Sequence, residues 1–193
     1  MTSTTDSMPS RRGFLGGSAK TLSSAGLVAM MGSGAALGFQ SSGNPEQDVQ
    51  LLNAAIALEH EGIAAYTIAA GSGLLAPEVV NIGVIFRGHH REHRDELIRA
   101  VETLGGMPVA AESDAHYAEA LNAGSLQNQA DVLRLAYGLE VGAANAYLGL
   151  IPSLSTTEQH QLAARMAGDE AFHAAILGNA IGEAIPTAGL MFG

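Results

Sequence analysis

The chain has no cysteine and no tryptophan among its 193 residues, and its one lysine is Lys20. Without cysteine there are no disulfides, thiolate metal sites, iron–sulfur clusters or cysteine nucleophiles, so any metal must be held by histidine and carboxylate. Charged residues are scarce, at 15%, while hydrophobic residues reach 47%, which excludes a disordered polyanion and leaves ample surface for one core. Positive charge is scarcest of all. From Gln40 onward there are six Arg, no Lys and 18 acidic residues, a net of −12. Such a surface argues against nucleic acid and anionic membranes as partners. Phosphate loops, Walker motifs and hydrolase elbows are also missing.

The few basic residues are concentrated at the start. Ser10-Arg11-Arg12-Gly13-Phe14-Leu15 and Lys20 precede an uncharged Gly- and Ser-rich stretch running from Thr21 to Phe39. This resembles a twin-arginine signal peptide, with Gly34 and Ala36 as small residues before a cleavage point. Residues 1–39 are therefore expected to direct export to the periplasm or beyond, and residues 40–193 to form the folded domain. No membrane partner is expected unless the signal is kept as an anchor.

Beyond Gly43 the apolar residues recur at helical spacing. Asn44-Pro45-Glu46-Gln47 opens a first helix with an Asn N-cap, Pro at the first position and an amide at the capping-box position. Its inward stripe is Leu52, Ala55, Ile56, Glu59, Ile63 and Tyr66. A second helix runs from Pro77 to Gly105-Gly106, with the stripe Ile82, Phe86, His90, His93, Leu97 and Val101. The stretch from Gly105 to Gln127, with a helical turn near Ala115 to Leu121, is too long for a hairpin and reads as a crossover. The third helix spans Asn128 to Leu150. The fourth is expected to open on a Ser155/Glu158 capping box and continue to Ala184. The sequence therefore predicts an all-α fold, an antiparallel four-helix bundle with a long crossover between helices two and three.

The two halves of this domain repeat. Leu-Glu-x6-Tyr occurs at Glu59 to Tyr66 and again at Glu140 to Tyr147, offset by 81 residues. Gly88-His89-His90-Arg91-Glu92-His93 aligns with Gly168-Asp169-Glu170-Ala171-Phe172-His173, offset by 80. Residues three apart share a helix face, so Glu170 and His173 project together. Burying Glu59, Glu140, Glu170, His93 and His173 among aliphatic residues is costly unless a cation neutralises them, as two carboxylate-bridged divalent ions would. The competing reading of the acids is solvated charge on amphipathic helices. For His90 and His93 two readings stand side by side, ligands or members of a basic patch with Arg87, Arg91 and Arg94. Tyr66 and Tyr147 read as core residues with hydrogen-bonded hydroxyls. Glu92, His60, Glu61, His116 and His160 fall off the stripes and are expected in solvent.

This pattern resembles the ferritin-like superfamily, above all exported members related to rubrerythrin and to plant desiccation-related proteins. The superfamily carries a Glu from each of two helices and Glu-x-x-His from each of the other two. The resemblance implies a ferritin-like bundle with ligands Glu59, His93, Glu140, Glu170 and His173 for two iron or manganese ions. It implies ferroxidase or peroxide-removing activity, with an external electron donor if the reaction is reductive, since the chain has no cysteine for a rubredoxin-type centre. It is also compatible with a homodimer. His90 stands where the family carries Glu, which leaves three carboxylates against two divalent ions; His89 is an alternative donor there. The other function to weigh is a non-enzymatic stress-related or envelope bundle with a degenerate site.

Overall fold

The computed structural model describes residues 44–192; the segment expected to be a twin-arginine signal lies outside them. Among the described residues there are five α-helices and no strand. They are α1 (Pro45–Gly71), α2 (Pro77–Thr103), α3 (Asp114–Ala120), α4 (Gln129–Leu150) and α5 (Thr157–Ile181). Short connections join α1 to α2 and α4 to α5, so each pair is an antiparallel hairpin; α3 lies in the crossover between the pairs. The four long helices form the expected bundle. No helix among the described residues is long and apolar enough to cross a membrane.

Local chemistry fixes the helix ends. The Asn44 side chain accepts from the Glu46 and Gln47 amides, with Pro45 in the first turn. Gln47 does not close a capping box there; its amide reaches across to the Ser153 carbonyl at 3.3 Å. At α5 the expected box is shifted by one residue. Thr156 and Gln159 satisfy each other's backbone amides, while Ser155 donates its hydroxyl to the buried Asp48 carboxylate at 3.1 Å. The helix ends at Ile181 rather than Ala184, because Gly182 adopts φ +76°, the left-handed conformation that terminates helices.

Two apolar clusters flank the middle of the bundle. Leu52, Ile56, Leu97, Val101, Tyr147, Leu150 and Met166 pack together at one end. Tyr66, Phe86, Leu133 and Leu177 pack at the other. Burial of each large side chain contributes roughly 1.5–3 kcal/mol, and together they fix the depth of the polar residues between them. The expected stripe on α2 holds except at Ile82, which is 41% exposed. Gly83 faces the Tyr66 ring instead.

Candidate metal centre

Between those clusters lies a layer of six buried ionisable side chains, Glu59 from α1, His90 and His93 from α2, Glu140 from α4, and Glu170 and His173 from α5. All six proposed positions converge at mid-bundle. Glu170 and His173 are fully buried, at 0% exposure. His90 and His93 face the carboxylates and are not part of a surface patch with Arg91, while Glu92 is exposed.

Two sets of four side chains, Glu59–His90–His93–Glu170 and His90–Glu140–Glu170–His173, each bring one ligand atom per residue within 4.8 Å of one another. Exchanging the halves of the repeat, Glu59 for Glu140, His90 for Glu170 and His93 for His173, converts the first set into the second. His90 and Glu170 belong to both. Carboxylate and imidazole donors at this spacing can hold a transition-metal ion. The chemistry of the donor set therefore fits the metal that the sequence suggests.

The tyrosines cross-brace this layer. Tyr66 donates to Glu140 Oε1, and Tyr147 donates to Glu59 Oε1, so each half's phenol holds the other half's carboxylate. The His90 ring spans the two acids, with Nδ1 2.8 Å from Glu59 Oε2 and Nε2 3.2 Å from Glu140 Oε1. Space for it comes from Gly62, where an added Cβ would lie 3.0 Å from the imidazole. A mid-helix glycine costs about 1 kcal/mol relative to alanine, a penalty offset here by room for the ring. Phe86 stacks on His173 with ring centroids 4.1 Å apart and limits its rotation.

Without metal, protons balance the layer. Burial alone would raise Glu59, but hydrogen bonds from His90 and His93 outweigh it and hold the carboxyl at about 2. Burial would lower His93, yet its bonds to Glu170 and Glu59 lift the imidazole to about 10. His90 is likewise raised well above its ordinary value, against burial, by Glu140 and Glu59. Glu170 moves up, through burial and its hydrogen bond with Glu140.

These shifts set the stability of the metal-free protein. The His93 contribution is complete below its ordinary 6.5 and is lost as pH rises through about 10. The Glu59 contribution is complete above its ordinary 4.5 and is lost as pH falls through about 2. In the presence of chelator, the thermal midpoint is expected to peak between these two ordinary values and to fall steadily towards pH 10. A midpoint that stays flat from pH 6 to 10 would show that His93 is not paired as described.

A cavity of ≈ 240 Å³ reaches the layer from the side, between α1 and α4. Leu58, Gly62, Leu139 and Gly142 form its walls, and Glu59, Glu140 and His90 lie at its inner end. Glu61, expected in solvent, is half-buried on this wall. His60, His116 and His160 are also half-buried rather than free in solvent. His60 and His160 satisfy the carbonyls of Val109 and Leu154.

Two further side chains touch the layer from outside. Asp169 lies 3.1 Å from His93 Nε2, and His89 Nδ1 lies 2.9 Å from His173 Nε2. His89, the alternative donor in the sequence, belongs to neither four-residue set and meets His173 instead, and Asp169 is a contact the sequence reading does not single out. The repeat carried the signal, since the two residues occupy equivalent positions in its halves.

Comparison with known proteins agrees with this architecture. No curated protein matches the chain. Among solved structures it is similar to a conserved hypothetical protein, rv2844, from Mycobacterium tuberculosis, at 25% identity and a TM-score of 0.61, covering 75% of this chain and 97% of that one. The ferritin-like domain profile matches residues 47–183, which include both halves of the repeat and all six buried residues. With that match over most of its length, the chain belongs to the ferritin-like domain family.

Proposed function

We propose that this protein is an exported di-metal oxidoreductase that oxidises iron(II) or removes peroxide. The observation that carries the reading is the pair of overlapping four-residue sets, buried and interchanged by the internal repeat. Glu59 and His93 would hold one ion, Glu140 and His173 the other, with Glu170 shared between them. Two iron or manganese ions there would supply the redox chemistry towards dioxygen or peroxide.

The protein's own contribution is positioning and access. Tyr66 and Tyr147 keep Glu140 and Glu59 turned inward, and Phe86 fixes His173. The cavity between α1 and α4 admits a small molecule to the Glu59 and Glu140 side, while the apolar clusters exclude bulk water from both ends. Export rests on Arg11, Arg12 and the apolar stretch after Lys20, and supports kinship with the exported rubrerythrin-like and desiccation-related proteins. N-terminal sequencing of periplasmic protein tests that part, with a start near Leu37 expected and an intact Met1 contradicting cleavage.

A second reading has its own observation. His90 lies within hydrogen-bonding distance of both Glu59 and Glu140, so protons alone can neutralise the layer and the bundle can serve as a metal-free structural element. Turnover separates the two. Protein loaded anaerobically with iron(II) or manganese(II) is expected to oxidise iron(II) or consume peroxide in proportion to bound metal. A loaded protein no faster than its chelated form would leave only the structural role.

A further inference from the structure

The outer neighbours of the two terminal histidines differ in charge, and this difference bears on the metal positions. His93 turns Nδ1 towards Glu170 Oε1 at 3.0 Å and Glu59 Oε1 at 3.6 Å, leaving Nε2 to donate to Asp169 Oδ2 at 3.1 Å. His173 turns Nδ1 towards Glu170 Oε2 at 3.2 Å and Glu140 Oε2 at 3.3 Å, leaving Nε2 to share a hydrogen bond with His89 Nδ1 at 2.9 Å. The inner geometry is therefore the same in both halves. Among the hydrogen-bond partners only the outer one changes, from a carboxylate to a neutral imidazole.

An outer acceptor fixes the ring tautomer and raises the electron density of the nitrogen that faces the metal. A carboxylate does this more strongly than an imidazole, because its charge also stabilises the positive charge that the ring takes on when it binds a cation. Asp169 adds a negative charge close to the first position, whereas His89 adds none to the second. The His89 ring lies nearly coplanar with His173 and edge to edge with it, their planes within 14° and centroids 5.2 Å apart, so its effect is chiefly to hold the ring in place.

We propose that Asp169 and His89 are positioning residues that make the two metal positions unequal, so that the Glu59–His93 position fills before the Glu140–His173 position. This rests on the reading of the layer as a metal site. Removal of such an outer partner typically costs 10–100-fold in metal affinity. The Asp169 side chain is 62% exposed and partly screened by solvent, so the lower end of that range, about tenfold, is expected for Asp169→Asn. The same exposure makes the substitution tolerable to the fold.

The experiment places one equivalent of manganese(II) on the metal-free protein under anaerobic conditions and locates it by anomalous diffraction. In the wild type the ion is expected beside Glu59 and His93. In the double exchange His89→Asp with Asp169→His it is expected beside Glu140 and His173. Calorimetric titration of Asp169→Asn, a milder change, should show the first binding step weakened about tenfold and the second unchanged. Equal occupancy of both positions in the wild type, or an unchanged location in the double exchange, would overturn the inference while leaving the metal site intact. A wild type that binds no manganese would overturn the proposed function and this inference with it.

Discussion

Glu170→Leu is expected to abolish metal binding at both positions at once. Glu170 is the only carboxylate shared by the two four-residue sets, and its two oxygens face His93 and His173 separately. Leucine has nearly the same volume, so the bundle keeps its packing and loses only the shared donor. Removing one partner from a buried ionic group costs about 3–5 kcal/mol. The lower end applies here because His93 retains Glu59, and His173 retains Glu140. In a domain of this size such a loss lowers the midpoint of the metal-free protein by roughly 6–12 °C. Calorimetric titration and thermal unfolding read the two effects independently. Glu92→Leu, on the exposed face of the neighbouring helix, serves as the comparison and should alter neither. Undiminished binding in Glu170→Leu would place the metal elsewhere.

The second large effect is expected in the opposite direction. His90→Glu should increase metal occupancy towards two ions per chain and at the same time destabilise the metal-free protein. Four carboxylates would balance the charge of two divalent ions, which three leave unbalanced. Without metal, the exchange removes the cation that spans Glu59 and Glu140 and adds a fourth buried carboxylate to the layer. Binding of the second ion should tighten on the order of tenfold, equivalent to about 1.4 kcal/mol. The gap between metal-free and loaded midpoints should widen accordingly, because a ligand that binds only the native state stabilises it in proportion to its affinity. Unchanged stoichiometry and affinity would show that His90 lies outside the reach of either ion.

Much of this arrangement was legible in the sequence because repetition and periodicity report the same geometry. Leu-Glu-x6-Tyr on two helices, and His-x-x-His opposite Glu-x-x-His on the other two, place polar residues at one depth in a bundle. The apolar stripes on either side then identify that depth as interior. Helix ends were less legible, since Ser155 and Thr156 are both competent caps. What separated them was Asp48, 107 residues away in sequence, which engages the Ser155 hydroxyl. Ile82 follows the helical period yet is 41% exposed, and Gly83 is the residue that faces the Tyr66 ring. Asp169 and His89 sit one residue before a buried ligand position on each helix. Periodicity assigns them to the flank, and only the side chains that meet between α2 and α5 bring Asp169 to His93 and His89 to His173.

The central claim is that six side chains from four helices form a metal site, and equilibrium metal content tests it most directly. Wild-type protein dialysed anaerobically against iron(II) or manganese(II), then freed of loose metal and analysed by plasma mass spectrometry, should retain between about one and two ions per chain, and the Glu170→Leu variant essentially none. Retention by the wild type no greater than by that variant would contradict the account.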